Sequence, residues 1–394
     1  MGSTVSPHIV LMPPGHVRTS LSPSGGMFQF DLGSELQGLG CKVGMVSVSK
    51  SPMSAWVRRY VYPAREIVSG IPVFRRYPRT VFPASLDNSF SIGRKLLRHA
   101  INVFGDYCAI HGRPDVIHAH NFKYSAFFAD ALSDVYGVPY VYTEHSSEIL
   151  SGSMPKAAGS ILRRVIERSS ATTAVSSALR DSMCDLTGLS DSKIQVIPNM
   201  LPVEFVTVGV RDSCEARGFR FVNVAEALPV KRQALLIQAF AKYFKNTKAR
   251  LTIIGEGPEL KALERLAVKL EVSSKVELLG RLPRVAIREV LLRSDCFVLS
   301  SRHETFAVAA IEALSQGLPV VSTRCGGPLE FIDPENGMLA VSDSIDGIGQ
   351  AMVAVQTNRH LYNSTRISER CISAYSPARV VASYLRVYER ALKC

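Results

Sequence analysis

Short apolar runs alternate with amphipathic stretches along most of the chain, and this alternation constrains the fold more than any other feature. Each run is long enough for a strand buried on both faces, and the stretches between the runs have helical periodicity. Such alternation is typical of parallel sheets covered by helices. At 394 residues, 46% of them hydrophobic and 20% charged, the chain is longer than one core usually supports. We therefore expect an α/β protein of two domains.

The alternation forms two series, and the periodicity is lost between them near residue 205. The first series predicts strands at 8–12, 42–48, 114–119, 138–143, 171–175 and 193–197, with helices that include 27–39, 123–135 and 155–168. The second predicts strands at 219–224, 250–254, 275–279, 296–299 and 319–322, with helices at 233–244, 259–270, 285–293 and 306–316. We interpret residues 1–205 and 206–375 as two Rossmann-like domains, and residues 376–394 as a helix that packs back on the first domain. In such sheets ligands bind at the carboxyl ends of the strands.

Two acidic residues mark the start of one predicted helix in the second series. Glu304 follows an apolar strand, and Glu312 lies eight residues further on. On an ideal helix that spacing places them ~80° apart, near enough to face one ligand. A helix start also offers unpaired N–H groups and a positive dipole end for a diphosphate. On spacing alone, a purely structural interpretation is as good as ligand binding: Glu304 would be an acid in the first helical turn, and Glu312 a solvated residue of the helix.

The segment from Glu304 to Glu312, with 317–322 and Gly326-Gly327 after it, resembles the signature of glycosyltransferase family 4, group 1 type. That family has the GT-B fold, in which two Rossmann-like domains face each other across a cleft. The resemblance covers most of the chain. It implies that Glu304 touches the donor sugar and that Glu312 binds the ribose. It also implies donor binding by the segment between them, mainly through its backbone: Thr305, Phe306, Ala307 and Val308.

Further segments resemble the family in the same order. Gly25-Gly26 resembles the glycine-rich loop near the donor phosphates, where absent side chains permit close backbone approach. His120 ends a predicted strand in an H-x-H segment, and the resemblance implies that it contacts the transferred sugar. Glu144-His145 ends the next strand and is assigned to the acceptor side.

A third matching segment departs from the family at one position. Lys231 corresponds to the lysine that faces the diphosphate, whereas Glu226 stands where the family has an arginine. A carboxylate there would oppose the charge that develops on the leaving group. Leu279 lies in the stretch that resembles the base-contacting edge. The resemblance thus implies His120, Glu304 and Lys231 as catalytic residues, and Glu226 and Leu279 as further donor-binding positions.

The sequence predicts no metal site and no cofactor besides the nucleotide sugar, which is a co-substrate. No acidic pair of DxD type ends a strand, and the eight cysteines include no CxxC pair. Lys231, the helix start and loop amides would then neutralise the departing diphosphate. The resemblance implies retention of anomeric configuration, with the acceptor attacking from the face that the diphosphate leaves.

One segment of the first domain is strongly basic. The net charge is +12, and residues 42–98 contain eleven basic residues against two acids, which we call the 42–98 basic patch. The patch has four possible interpretations: it contacts an anionic membrane, an anionic acceptor or nucleic acid, or it is simply a solvated face. Aromatic residues among the arginines favour the membrane, and no nucleic-acid motif accompanies them. We expect a cytoplasmic protein, peripheral on the inner face of the cell membrane.

Together these features predict a transferase that moves a sugar from a nucleotide diphosphate donor to an acceptor. The acceptor would be a glycan or a molecule linked to polyprenyl or another lipid, in the synthesis of the cell envelope or of exopolysaccharide. A catalytically impaired nucleotide-sugar-binding protein is the main alternative because of Glu226. A nucleotide-sugar epimerase or a phosphorylase of the same architecture is another. A Rossmann oxidoreductase is disfavoured, because the residues after the first strand, 13–16, lack the GxGxxG turn.

Overall fold

The computed structural model describes residues 6–15, 17, 27–50, 63–78, 89–209 and 218–393, with the backbone alone for 89–92. It divides into two compact units: unit 1 comprises Met1–Ile197 and Val380–Cys394, and unit 2 comprises Pro198–Arg379. Each unit is an α/β layer structure around its own mainly parallel sheet. The predicted fold class is thereby confirmed.

In the described part of unit 1, eight strands form one sheet. They are β1 (His8–Met12), β2 (Lys42–Val48), β3 (Arg65–Val68), β4 (Ile71–Arg76), β5 (Val116–His120), β6 (Tyr140–Glu144), β7 (Ala171–Ala174) and β8 (Ile194–Val196). Their order is β3-β4-β2-β1-β5-β6-β7-β8, parallel except for the antiparallel β3–β4 pair. The helices are α1 (Met27–Gly38), α2 (Ser89–His111), α3 (Phe127–Tyr136), α4 (Ser147–Leu150), α5 (Ala158–Arg168) and α6 (Ser177–Thr187).

One predicted helix of unit 1 is interrupted at its start. The sequence pattern predicts a single helix over 123–135, but α3 begins at Phe127, and a π-helical turn, Phe122–Ala126, precedes it. Tyr124 in this turn has φ 70°, in the left-handed region that a regular helix does not contain. The turn directly follows β5 and so shapes the loop at that strand's carboxyl end.

In unit 2, the six described strands are all parallel. They are β9 (Arg220–Val224), β10 (Arg250–Ile254), β11 (Val276–Leu278), β12 (Cys296–Leu299), β13 (Val320–Ser322) and β14 (Gly337–Leu339), in the order β11-β10-β9-β12-β13-β14. The helices are α7 (Gln233–Phe244), α8 (Leu260–Lys269), α9 (Arg284–Leu292), α10 (Val308–Ser315), α11 (Ile345–Thr357) and α12 (Ser364–Tyr375). Phe221 of β9 packs against Phe240 and Phe244 of α7 in the buried core. Burial of both sheet faces explains why these strands are continuous apolar runs.

The chain passes from unit 1 to unit 2 a few residues earlier than the boundary at 205 predicted from the sequence. Leu201 N donates a hydrogen bond to the Tyr375 carbonyl at 2.8 Å, and Gln316 Nε2 donates to the Phe205 carbonyl at 3.2 Å. Tyr375 and Gln316 both belong to unit 2. Residues 198–205 therefore form part of unit 2.

The last helix, α13 (Pro377–Ala391), groups mostly with unit 1. Its Tyr388 hydroxyl lies 2.7 Å from His118 Nδ1 on β5. Arg390 donates to Gln195 Oε1 at 2.7 Å near the end of the eighth strand. No helix among the described residues combines the length and the apolarity needed to cross a membrane.

Candidate functional site

The sheet of unit 2 changes direction at its centre. The strands β9 and β12 are neighbours, while β10 and β11 extend to one side of them and β13 and β14 to the other. Such a switch point leaves a crevice at the carboxyl ends of the two central strands. The loop after β9 carries Lys231, and the loop after β12 carries Glu304. The two predicted residues therefore meet where an α/β sheet binds its ligand.

Lys231 and Glu304 form an ion pair across this switch point. Lys231 Nζ lies 2.7 Å from Glu304 Oε1, and Ser301 Oγ donates to the same oxygen at 2.6 Å. The Glu304 side chain is only 11% exposed and that of Lys231 23% exposed. Among the described residues, both hydrogen bonds to this carboxylate go to Oε1, so Oε2 remains available as an acceptor. Ser301 was not predicted, although it lies only three residues before Glu304.

Backbone hydrogen bonds hold the two loops together. Ser300 Oγ donates to the Lys231 carbonyl at 2.8 Å, and Arg302 N donates to the Val230 carbonyl at 2.8 Å. Glu304 is also tied to the loop after β13: its amide donates to the Cys325 carbonyl at 2.7 Å. The position of the ion pair is thus fixed by three neighbouring strand ends.

The helix after Glu304 begins later than the sequence predicts. α10 starts at Val308 rather than at residue 306, because Ala307 has φ 71° and ψ 71° in the left-handed region. Glu304 lies outside the helix, so the ~80° separation expected from an ideal helix does not apply. The first amides of α10, at Val308 and Ala309, have no intrahelical acceptor and point out of the helix start.

The other predicted donor-binding residues of this segment have distinct surroundings. The Phe306 ring is buried against Phe331 and Tyr375, with ring centroids 5.5 and 5.4 Å apart, so only its backbone borders the loop. Thr305 is half-buried between Glu304 and this aromatic cluster. Glu312 lies on α10 and is 8% exposed. The described loop therefore presents backbone groups more than side chains.

The remaining predictions in unit 2 concern Glu226 and Leu279. Glu226 is exposed and lines a cavity of about 220 Å³ at the carboxyl ends of β9 and β10. Arg281 and Leu282, which were not predicted, line the same cavity, whereas Leu279 lines a different one. The reason is that Leu279 still extends the β11 ladder, its amide donating to the Ile253 carbonyl at 3.0 Å. The chain turns toward the first cavity only after Gly280.

In unit 1 the switch point lies between β1 and β5, and His120 ends β5 there. His120 Nδ1 lies 3.0 Å from His145 Nε2, while its Nε2 is buried and has no hydrogen-bond partner among the described residues. Burial, followed by the charges of His118 and His145, holds the pKa of His120 well below its ordinary value. The folded protein therefore keeps His120 neutral.

His118 supports His120 from the side facing α13. Its Nδ1 lies 2.7 Å from the Tyr388 hydroxyl and its Nε2 lies 2.7 Å from Thr143 Oγ1. Its ring centroid is 4.1 Å from that of His120. Burial lowers the pKa of His118 to about 3. His118 is therefore a fixed neutral neighbour of His120. The sequence alone does not distinguish the roles of these two histidines.

Glu144, predicted on the acceptor side, is fully buried. Its carboxylate accepts from Phe122 N at 2.9 Å, His145 N at 2.8 Å and Ser146 N at 2.6 Å, and also from the Tyr142 hydroxyl. Burial raises the pKa of Glu144, while these donors act in the opposite direction. Within the described residues, Glu144 organises the two loops that flank His120 and His145.

Two predictions concern other parts of the chain. Gly25 and Gly26 lie outside the described residues. Among the described residues, no group of three or more histidine, cysteine, aspartate or glutamate side chains is arranged to hold a metal ion.

Comparison with known proteins gives a consistent picture. The family model for group 1 glycosyl transferases matches residues 216–370, and the model for glycosyltransferase family 4 matches residues 26–205. One component of the Arabidopsis thaliana phosphatidylinositol N-acetylglucosaminyltransferase is 28% identical over 325 residues, which cover 80% of this chain and 68% of the relative. The N-acetyl-α-D-glucosaminyl L-malate synthase of Bacillus anthracis is 25% identical over 294 residues, 71% of this chain and 75% of the relative.

Solved structures share the fold. Anabaena HepE, determined in complex with UDP and glucose, superposes with a TM-score of 0.73 at 17% identity, covering 97% of this chain and 99% of that one. The two family models lie in order on the two units, and the residues matched by the group 1 model include Lys231, Glu304 and Glu312. The chain therefore belongs to the group 1 glycosyltransferases of family 4, with the GT-B fold.

Proposed function

We propose that this glycosyltransferase moves a sugar from a nucleoside diphosphate sugar to a glycan or lipid-linked acceptor, with retention of anomeric configuration and without a metal ion. The observation that carries the proposal is the Lys231–Glu304 ion pair beside the start of α10, at the switch point of the unit 2 sheet. The cation and the free amides of this crevice match the diphosphate of such a donor, and the carboxylate matches its sugar hydroxyls.

The leaving diphosphate needs positive charge where a metal would otherwise supply it. Within the described part of the chain, Lys231 donates one of its three N–H groups to Glu304, which leaves two for phosphate oxygens. The amides at Val308 and Ala309 and the positive end of the α10 dipole add further stabilisation. As the bond between the anomeric carbon and the diphosphate oxygen lengthens, charge grows on that oxygen, and these groups stabilise it most in the transition state.

Two side chains, Glu304 and His120, would form hydrogen bonds with the sugar. Glu304 Oε2 would accept from a sugar hydroxyl, because Oε1 already binds Lys231 and Ser301. His120, kept neutral by burial, would contact the transferred sugar through Nε2. The acceptor oxygen bonds to the anomeric carbon on the face that the diphosphate leaves, and its proton passes to a phosphate oxygen of the leaving group. Retention follows from this geometry.

The identity of donor and acceptor is proposed from the relatives. The names of the two curated relatives share an N-acetylglucosaminyl group, and HepE binds UDP. UDP-N-acetylglucosamine is therefore the first donor to test, followed by UDP-glucose. The Arabidopsis relative is named for a phosphatidylinositol acceptor, which supports a lipid-linked acceptor here.

A peripheral position on the inner face of the cell membrane is supported by the 42–98 basic patch. The support is weaker than the number of basic residues in the patch indicates. Arg75 is buried and bonds Glu66 at 2.7 Å, and Arg65 pairs with Asp106 at 3.3 Å. Arg58, Arg59 and Arg79 lie outside the described residues. Exposed basic residues remain at Lys42, Arg76, Arg94, Lys95 and Arg98. Retention of the protein on anionic liposomes at low salt tests the association.

The decisive experiment measures donor binding and transfer separately. We expect UDP-N-acetylglucosamine or UDP-glucose to raise the melting temperature of the wild-type protein, because a ligand of the folded state stabilises it. Lys231→Ala and Glu304→Ala should abolish transfer while both variants remain folded. Lys242→Ala is the matched control, since Lys242 pairs with Asp346 on the surface of the same unit. Wild-type transfer rates in both site variants would contradict the proposal.

A second function is favoured by one observation, the exposed Glu226 at the carboxyl end of β9 where the family has an arginine. It is a nucleotide-sugar-binding protein with impaired catalysis. In the same experiment, this function predicts donor binding without transfer, and turnover gained in Glu226→Arg. Transfer by the wild type excludes it.

A further inference from the structure

Unit 2 contains a larger cavity away from the proposed donor site. Its volume is about 740 Å³, and it lies between the edge strands of the sheet and the end of α9. Arg220 and Arg250 are the first residues of β9 and β10, and Lys275 directly precedes β11. The cavity therefore opens at the amino ends of the strands, whereas Lys231 and Glu304 lie at the carboxyl ends.

The lining of this cavity is strongly basic. The described residues that line it include four cationic side chains, from Arg220, Arg250, Lys275 and Arg293, against one acid, Glu277. A second acid lies close by: the Asp295 carboxylate accepts from the Arg220 amide at 2.8 Å. Even with both acids counted, positive charge prevails in the cavity.

Contacts with the main chain orient these cations without neutralising them. Arg220 donates to the Arg293 carbonyl at 3.5 Å, and Arg250 donates to the Ser274 carbonyl at 3.3 Å. Lys275 Nζ donates to the Lys245 carbonyl at 2.7 Å. Among the described residues, none of the four cations forms an ion pair with a carboxylate. Their remaining N–H donors are available to an anion, and arginine forks match phosphate oxygens in geometry.

The rest of the described lining is half hydroxyl-bearing and half apolar. Hydroxyl groups are contributed by Thr252, Ser273, Ser274 and Ser294. The volume lies within the range of small-molecule sites, roughly 300–1,000 Å³, and is larger than an inorganic phosphate requires. Cations together with hydroxyls suit a ligand that carries both a phosphate and several hydroxyl groups.

We propose that this cavity is a second ligand site that binds a small phosphorylated polyol, with a sugar phosphate as its chemical class. Arg220 and Arg250 bind the phosphate, and the hydroxyl-bearing side chains bind the polyol. The site lies apart from Lys231 and Glu304 and does not require the proposed transfer reaction, although Leu279, a predicted donor-binding position, lines it.

Glucose 6-phosphate is a suitable probe, with unphosphorylated glucose as its comparison, at constant ionic strength. We expect glucose 6-phosphate, but not glucose, to raise the melting temperature of the full chain and to give one binding event by calorimetry. Lys231→Ala should retain this binding. Arg250→Gln, at an exposed position, and the double variant Arg220→Gln/Arg250→Gln should weaken it tenfold or more.

Lys261→Gln/Arg265→Gln is the charge-matched control, because both residues are exposed on α8 and neither lines the cavity. It should bind glucose 6-phosphate like the wild type. Absence of binding to the wild type would overturn the proposal, as would binding lost in Lys231→Ala but retained in the arginine variants. Tighter binding of a single-stranded oligonucleotide through the same arginines would also overturn it, since the surface would then serve polyanions.

Discussion

At the scale of single residues, the loop 304–307 depends on two unusual backbone positions. Ala307 adopts φ 71°, which costs a non-glycine residue energy and ends the loop just before α10. Gly327 packs directly beneath the loop: a Cβ at this position would lie 2.4 Å from the Thr305 carbonyl oxygen and 2.6 Å from Phe306 Cα. Glycine is required there by close approach, not by its own φ. The left-handed conformation of Ala307 and the absence of a side chain at Gly327 together determine the path of the loop, and with it the position of Glu304.

We therefore expect Gly327→Ala to displace the loop and to reduce kcat/KM by up to about 100-fold, because displacements near 1 Å suffice for losses of that size. Steady-state kinetics and donor titration of the variant measure the effect. Gly38→Ala is the control, since a Cβ at Gly38 meets nothing within 4 Å. A Gly327→Ala variant with wild-type kinetics would show that the loop tolerates the displacement.

Residue identities in the site could be predicted only in part. Resemblance to the family indicated Lys231 and Glu304, and the structure brings both to one crevice. The left-handed conformation of Ala307 could not be predicted, because alanine ordinarily continues a helix. Nor could the partner of His118 be predicted, since Tyr388 lies 270 residues further along the chain.

At the scale of elements, most strands were predicted from their apolar runs, whereas β3, β4 and β14 were missed. The bounds of β1, β2, β10 and β12 agree with the apolar runs, because these strands are mostly apolar and mostly buried. The missed strands lack a long apolar run, because β3 and β4 contain charged residues and β14 has only three residues.

The terminal helix α13 connects the end of the chain to the centre of the unit 1 sheet. Tyr388 is fully buried, and its hydroxyl is the hydrogen-bond partner of His118 Nδ1. Arg390 adds a second hydrogen bond at the sheet edge. The helix thereby stabilises the histidine that packs against His120.

Tyr388→Phe removes this hydroxyl while retaining the ring. We expect a loss of about 1–3 kcal/mol in the free energy of unfolding, because a buried imidazole nitrogen is left without its partner. Denaturant titration measures it. Tyr243→Phe serves as the control, since the Tyr243 hydroxyl bonds Asp346 at the surface. An equal effect of the two substitutions would contradict a special role for the buried hydrogen bond.

At the scale of the whole molecule, the same arrangement occurs in both units: a sheet that changes direction next to its first strand, with functional side chains on the two central loops. The sequence predicted this duplication from its alternating pattern, since the switch point follows from strand order. The sequence did not predict that the sites at the two switch points differ in charge. Unit 2 presents an ion pair, whereas unit 1 presents buried neutral histidines.

That difference predicts a pH dependence of stability. Burial lowers the folded-state pKa of His118 to about 3 and that of His120 well below 6.5. As the pH falls below 6.5, the unfolded chain takes up protons at both residues and the folded protein does not. The free energy of unfolding should then fall by about 1.4 kcal/mol per pH unit for each histidine. Glu144 opposes this trend, because burial raises its pKa and its folded form takes up a proton at higher pH.

Denaturant titrations at pH 7.5, 6.5 and 5.5 would measure the slope, and NMR of the imidazole resonances would show its source. We expect stability to change little above about pH 6.5, where the histidines are neutral in both states, and to decline below it. The resonances of His118 and His120 should not shift between these pH values while the protein stays folded, because neither ring accepts a proton there. Resonances that titrate near 6.5 in the folded state would show that the two rings are open to protonation. The His120 ring would then be cationic at low pH rather than the neutral contact proposed for the sugar.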